Sequence, residues 1–192
     1  MLKRVVFLSI LSMALAYPGG AIGQTYEESF AALLRDDYTS AFAGFGKLAA
    51  KGNAKAQFNL ATMHFEGEGT AKDTQRALYW YRKSAARGNT EAMYTLGEIY
   101  ARGQVVPGNA SQATSYFRQA AQRGHAGAQT RLGLRYASGQ GAPKDPQTAY
   151  FWLLLACAGG DLLAPAERDR VEKTLTEQQR SATLAAVRRW KP

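Results

Sequence analysis

Glycine recurs at positions 52, 88, 124 and 160, each 36 residues after the one before. The register holds at many other positions. Ala56, Ala92 and Ala128 align, as do Leu60, Leu96 and Leu132, and His64, Tyr100 and Tyr136 form an aromatic column. Gly67, Gly103 and Gly139 follow, then Ala77, Ala113 and Ala149, with Trp80, Tyr116 and Trp152 three residues further on. Self-similarity at this period constrains the fold more than composition does. One such unit has no partner for its own apolar face, so consecutive units must stack and share a continuous core.

Within a unit, the spacing predicts a helical hairpin. Ala56, Leu60, Met63 and His64 fall at i, i+4, i+7 and i+8, one face of a first helix. Gly67-Glu68-Gly69 ends it, because two glycines in three residues favour a turn. Asp73 or Thr74 can cap a second helix, whose apolar face is Ala77, Trp80, Tyr81 and Ala85, and Gly88 supplies its left-handed stop. Small residues at Ala61, Gly97 and Gly133 let neighbouring helices approach closely. After Asp161 the pattern is expected to stop. Pro165 then opens a short helix to Lys173, and Thr176-Glu177-Gln178-Gln179 has capping-box spacing for a last helix ending near Arg189. Leu184, Val187 and Trp190 form an apolar stripe with which that helix can cover the open end of the array.

The stretch from Ala54 to Gly69, continuing through Asp73, Ala77, Trp80-Tyr81, Ala85 and Gly88, resembles a Sel-one-like repeat (SLR). That family is a relative of the tetratricopeptide repeat with a longer, glycine-marked loop inside each hairpin. Residues 90–124 match less closely, with Val105 and Gly108 where the pattern has Gly and Lys, and Asn109 where it has Asp. Residues 126–160 keep Gly139, Gly141, Pro143, Lys144 and Asp145. Upstream, Asp37-Tyr38 with Ala41, Phe45, Ala49 and Gly52 resembles the second half of a tetratricopeptide unit, with a partner helix at about 26–35. The resemblance implies an all-α, right-handed α/α solenoid of about four helical hairpins with a C-terminal helical cap. Residues 24–53 would form a tetratricopeptide-like hairpin, 54–161 three SLR hairpins and 162–192 the capping helices.

Residues 1–23 read as a secretory signal peptide. Lys3 and Arg4 precede an apolar stretch over 5–16, Pro18-Gly19-Gly20 breaks it, and Ala21 and Gly23 suit a cut before Gln24, with Ala16 as a second option. The apolar stretch is shorter than the roughly 20 residues needed to span a bilayer. The expected product is periplasmic or secreted, with no transmembrane segment after cleavage. Without Lys3 and Arg4, 22 cations face 15 anions, a net +7 dispersed along the chain. No basic run or nucleic-acid motif occurs, so nucleic acid is not an expected partner.

Chemistry-bearing residues are few. A single cysteine, Cys157, excludes an internal disulfide, and two histidines, His64 and His125, are too few for a multi-His zinc site within one chain. His64 lies in the tyrosine column and reads as a packed helix residue. Cys157 takes the place of Ala85 and Ala121 and reads as a small packed thiol. No Ser-x-x-Lys, phosphate loop or G-x-S-x-G is present. No catalytic, metal or cofactor site is expected, and the one carboxylate pair that can be nominated for hydrolysis is Glu66 with Glu98.

That leaves a surface. In a stacked array the first helices line the concave side. Positions off their packing faces are Lys55, Asn59, Thr62 and Glu66, then Glu91, Thr95, Glu98 and Arg102, with Arg131 and Leu134 in the third unit. They vary in charge and size where the packing positions repeat, and Phe58 and Tyr94 line the same groove. SLR proteins commonly act as adaptors, so the resemblance implies a non-enzymatic scaffold that holds a protein or peptide partner in the cell envelope. The alternative is a polyanion- or peptidoglycan-associated envelope protein, with or without hydrolytic activity.

Overall fold

A computed structural model describes residues 25–192 of the chain, and the expected signal peptide lies outside the described residues. Among these residues there are ten helices and no strand. Helix α1 (Tyr26–Leu34) packs against α2 (Tyr38–Ala50), and α3 (Ala54–Glu66) against α4 (Thr74–Ala86). In the same way α5 (Thr90–Arg102) pairs with α6 (Ala110–Ala121), and α7 (Ala126–Ser138) with α8 (Pro146–Ala158). Successive hairpins stack through α2–α3, α4–α5 and α6–α7. The result is an all-α solenoid, finished by α9 (Ala164–Glu172) and α10 (Glu177–Arg189), both seated on α8.

Local chemistry sets the helix ends. Asn53, Asn89 and His125 cap the first helices and Asp73, Asn109 and Asp145 the second, each accepting from the N–H three residues on at 2.9–3.0 Å. First helices stop at Gly67, Gly103 and Gly139, whose φ angles of 83°, 66° and 81° would strain any other residue.

Packing then joins the units. Leu96, Leu132, Phe117 and Leu153 are fully buried, and α5 and α6 approach so closely at Gly97 that a Cβ there would lie 2.6 Å from the Phe117 ring. Gln57 and Gln129 are also buried, their Nε2 donating to the carbonyls of Ala49 and Ala121 at the end of the preceding helix, at 3.0 and 3.2 Å. Arg82 donates to the Tyr100 hydroxyl at 2.8 Å, and Arg118 to that of Tyr136 at 3.0 Å. One period earlier the corresponding residues are Gly46 and His64, so where the guanidinium is missing the tyrosine is missing too. His64 is buried instead, edge-on to Phe42 with centroids 5.1 Å apart, and that burial holds its pKa below the ordinary histidine value.

The C-terminal end adds to the sequence reading in two ways. Two features of the repeat carry on from Asp161 into the cap. That residue stands in the cap column of Asn53, Asn89 and His125, and its carboxylate accepts from the N–H groups of Leu163 and Ala164 at 3.0 and 3.1 Å. Ala164 is fully buried like Ala56, Ala92 and Ala128. Pro165 is exposed where Gln57, Met93 and Gln129 are buried, and Arg168 is a half-buried cation at the position of Leu60, Leu96 and Leu132. Helix α9 thus keeps the buried alanine of a first helix, while the proline and the guanidinium end the stacking surface. On α10 the inward stripe is Thr183, Val187 and Trp190, whereas Leu184 is exposed; Trp190 meets Trp152 edge-on at 6.5 Å.

Candidate functional site

Helices α3, α5 and α7 carry all the residues expected at a partner site, but the structure divides them. Lys55, Asn59 and Glu91 border a cavity of about 530 Å³ with Tyr26 and Phe58 in its wall. Thr95, Glu98 and Arg102 border a second, of about 210 Å³, floored by Phe65, Tyr81, Tyr94, Ile99 and Val105. Arg131 reaches over from α7, its Nε 2.8 Å from one oxygen of Glu98, while Arg102 holds the other at 3.1 Å. Glu66 is exposed at the end of α3 and Leu134 is half-buried on α7; neither borders these two cavities.

Thr62 and Glu98 are not the solvent-facing groups that the sequence reading supposed. The Thr62 hydroxyl lies 3.1 Å from that of Tyr81, and the Glu98 side chain is only 16% exposed. Both are covered because Tyr81 from α4 and Arg131 from α7 lie over them. Burial raises the pKa of Tyr81, whose hydroxyl is occupied by Thr62 and whose ring remains as cavity floor. Asn59 is likewise engaged, donating to the Tyr26 hydroxyl at 2.9 Å.

Three participants escaped the sequence reading. His125 accepts from the Ala128 N–H through Nδ1, which leaves its Nε2–H facing Glu91 at 3.3 Å. Its ring stacks on Tyr94 with centroids 4.6 Å apart and planes 18° from parallel. The bond from His125 draws the Glu91 carboxyl below the ordinary carboxylate pKa. The signal was present, since 125 falls in the cap column of Asn53 and Asn89. Phe65 and Val105 are the other two, standing where the other units carry Ala101 and Ala137, and Gly69 and Gly141.

Both oxygens of Glu98 are engaged by guanidinium groups. Cys157 is half-buried, burial raises its thiol pKa, and Arg168 lies 3.9 Å from its sulfur. Among the described residues no cluster of His, Cys, Asp or Glu could hold a metal ion, and no helix is long and apolar enough to cross a membrane.

A Sel1 repeat model matches residues 54–89, 90–125 and 126–161. The chain belongs to the Sel1 repeat family. Among solved structures it is similar to a Sel1 repeat protein from Oxalobacter formigenes, at 27% identity and a TM-score of 0.72, over 75% of this chain and 59% of that one. The chain thus spans less than two thirds of that relative. Helicobacter pylori cysteine rich protein B shares the fold at 18% identity and a TM-score of 0.50, over 74% of this chain and 96% of that one. No curated protein sequence matches the chain. Sel1 repeats commonly serve as scaffolds for protein–protein contact, and the cavities lie on the first helices of those repeats.

Proposed function

We propose that this protein is a non-enzymatic adaptor of the cell envelope that holds a segment of another protein across its first-helix face. The observation that carries this reading is the pair of open cavities on that face, each with an aromatic floor and a charged edge. Half-buried rings edged by polar groups are the usual composition of a protein contact. Export rests on residues 1–23 alone, with their basic start, apolar stretch and small residues before Gln24. The partner is accordingly a periplasmic or extracellular protein.

The test is affinity capture. Immobilised residues 24–192 are incubated with an envelope extract at low and high salt, beside a Lys55→Glu/Arg102→Glu variant. Both side chains are exposed, so the variant keeps its fold, which circular dichroism checks. A protein retained at high salt by the wild type and lost by the variant is the expected result. Capture of salt-labile polymers alone would replace the adaptor with the polyanion-binding alternative, which draws on the net +7 charge. Fractionation with N-terminal sequencing tests location: a chain beginning at Gln24 outside the cytoplasm is expected, and an uncut cytoplasmic chain refutes export.

A further inference from the structure

Building on the adaptor reading, we propose that the cavity between α3 and α5 is a specificity pocket. It takes one large apolar side chain of a partner peptide with an acidic residue beside it. The pocket exists because the second repeat departs from its neighbours. Gly69 and Gly141 press against the preceding hairpin, and a Cβ on either would collide with the carbonyl oxygen of Tyr38 or of Ala110, the first residues of α2 and α6. Val105 occupies the same column and already has a Cβ. Its loop therefore cannot seat on Thr74, the first residue of α4, in that way, and the valine side chain lines the cavity instead. Phe65 lines the same cavity from a column that is otherwise alanine. Two enlarged residues on adjacent repeats thus wall one space, floored by Tyr81 and Tyr94.

The charges at the mouth choose the neighbour. Arg102 has a 63% exposed side chain, and the Lys72 ammonium lies 5.3 Å from the Phe65 ring centroid. Glu98 is held on both oxygens by Arg102 and Arg131, so the exposed charge among the lining residues is the Arg102 guanidinium, with the Glu66 carboxylate acting on Tyr81 from the end of α3. A volume of about 210 Å³ admits a leucine or phenylalanine side chain but not a folded segment. The apolar group leaves water for the aromatic floor, and an adjacent carboxylate meets Arg102.

An NMR titration of residues 24–192 tests this with two glycine–serine octapeptides. One has a central phenylalanine flanked by aspartates, the other the same phenylalanine flanked by lysines. The acidic peptide is expected to shift the amides of Phe65, Tyr94, Arg102 and Val105 and to bind about tenfold more tightly than the basic one. Val105→Gly, which restores the residue of the other repeats, and Val105→Trp, which fills the cavity from its rim, should each weaken binding about tenfold or more. Unchanged thermal melts show that both variants are folded. Arg102→Gln should erase the preference for the acidic peptide while retaining the shifts at Val105. Unchanged binding by the folded Val105 variants, or shifts confined to the cavity at Lys55, Asn59 and Glu91, overturns the pocket and leaves the adaptor reading standing. If neither peptide shifts any amide of α3, α5 or α7, the pocket is overturned, and the adaptor reading falls with it only when the capture experiment also fails.

Discussion

Replacing Gly97 by alanine sets two opposed effects of one methyl group against each other. The residue lies mid-way along α5, where alanine favours the helix over glycine by about 1 kcal/mol. Against that, an ideal Cβ would sit 2.6 and 2.7 Å from two ring carbons of the fully buried Phe117. The ring has little room to yield, because Tyr94 tilts against it at 5.8 Å between centroids and the Arg135 guanidinium covers it at 5.4 Å. Regaining ordinary carbon–carbon contact requires ring or helix to move by about 1 Å, and overpacking of that kind costs about 1–3 kcal/mol. Gly46 is the control, mid-way along α2 with nothing within 4 Å of its Cβ position. Both substitutions share the propensity gain, so their difference isolates the clash, about 1–3 kcal/mol. At about 2–4 °C per kcal/mol for a chain of this length, their Tm values should lie several degrees apart. Gly46→Ala should melt above the wild type and Gly97→Ala at or below it in thermal unfolding followed by circular dichroism. Adding Phe117→Leu to Gly97→Ala should cost less than the two changes summed, since the shorter side chain vacates the contested space. Equal stabilisation by both alanines would refute the close approach of α5 and α6.

Leu96→Ala should lower the unfolding free energy by about 2–5 kcal/mol in urea titration, because the leucine is fully buried between repeats. Asp145→Ala should cost about 0.5–2 kcal/mol by the same assay, removing the carboxylate that accepts from the Thr148 N–H at 3.0 Å and caps α8. Asp145→Asn should retain most of that stability. Burial keeps His64 neutral in the folded chain, with a pKa below the value of about 6.5 that it has when unfolded. The unfolded chain therefore binds the extra proton, and the stability held by neutral His64 is complete above that value and lost as pH falls below it. His64→Phe should flatten the decline of Tm between about pH 7 and pH 5, and an unchanged slope would refute the assignment.

The fold was legible because its determinants are local and periodic. Caps three residues from their N–H targets, glycines at positive φ and apolar residues at helical spacing are all visible without the neighbouring unit. The same logic located the capping box at Thr176 and its helix, since both partners lie within one turn. It also marked Asp161 as the end of the last full hairpin, around which only the cap-column carboxylate and the buried Ala164 persist, while Pro165 and Arg168 replace packing residues. The candidate site was legible only as a list of positions. Counting helix faces put Lys55, Asn59, Glu91, Thr95, Glu98 and Arg102 on one side, yet treated Thr62 and Glu98 as open to solvent.

The sequence by itself determined that this chain is a stack of helical hairpins, and where each hairpin begins and ends. Those are matters of backbone preference and apolar period, decided within a few residues. Only the tertiary structure decided which side chains remain available on the first-helix face. Thr62 is claimed by Tyr81, and Glu98 by Arg131 from the next repeat, while Val105 and Phe65 wall one cavity from adjacent units. Those pairings join residues 19 to 40 positions apart, and are set by how the two helices of a hairpin pack and how one repeat seats on the next. A side chain's exposure depends on that packing, which no single helix encodes.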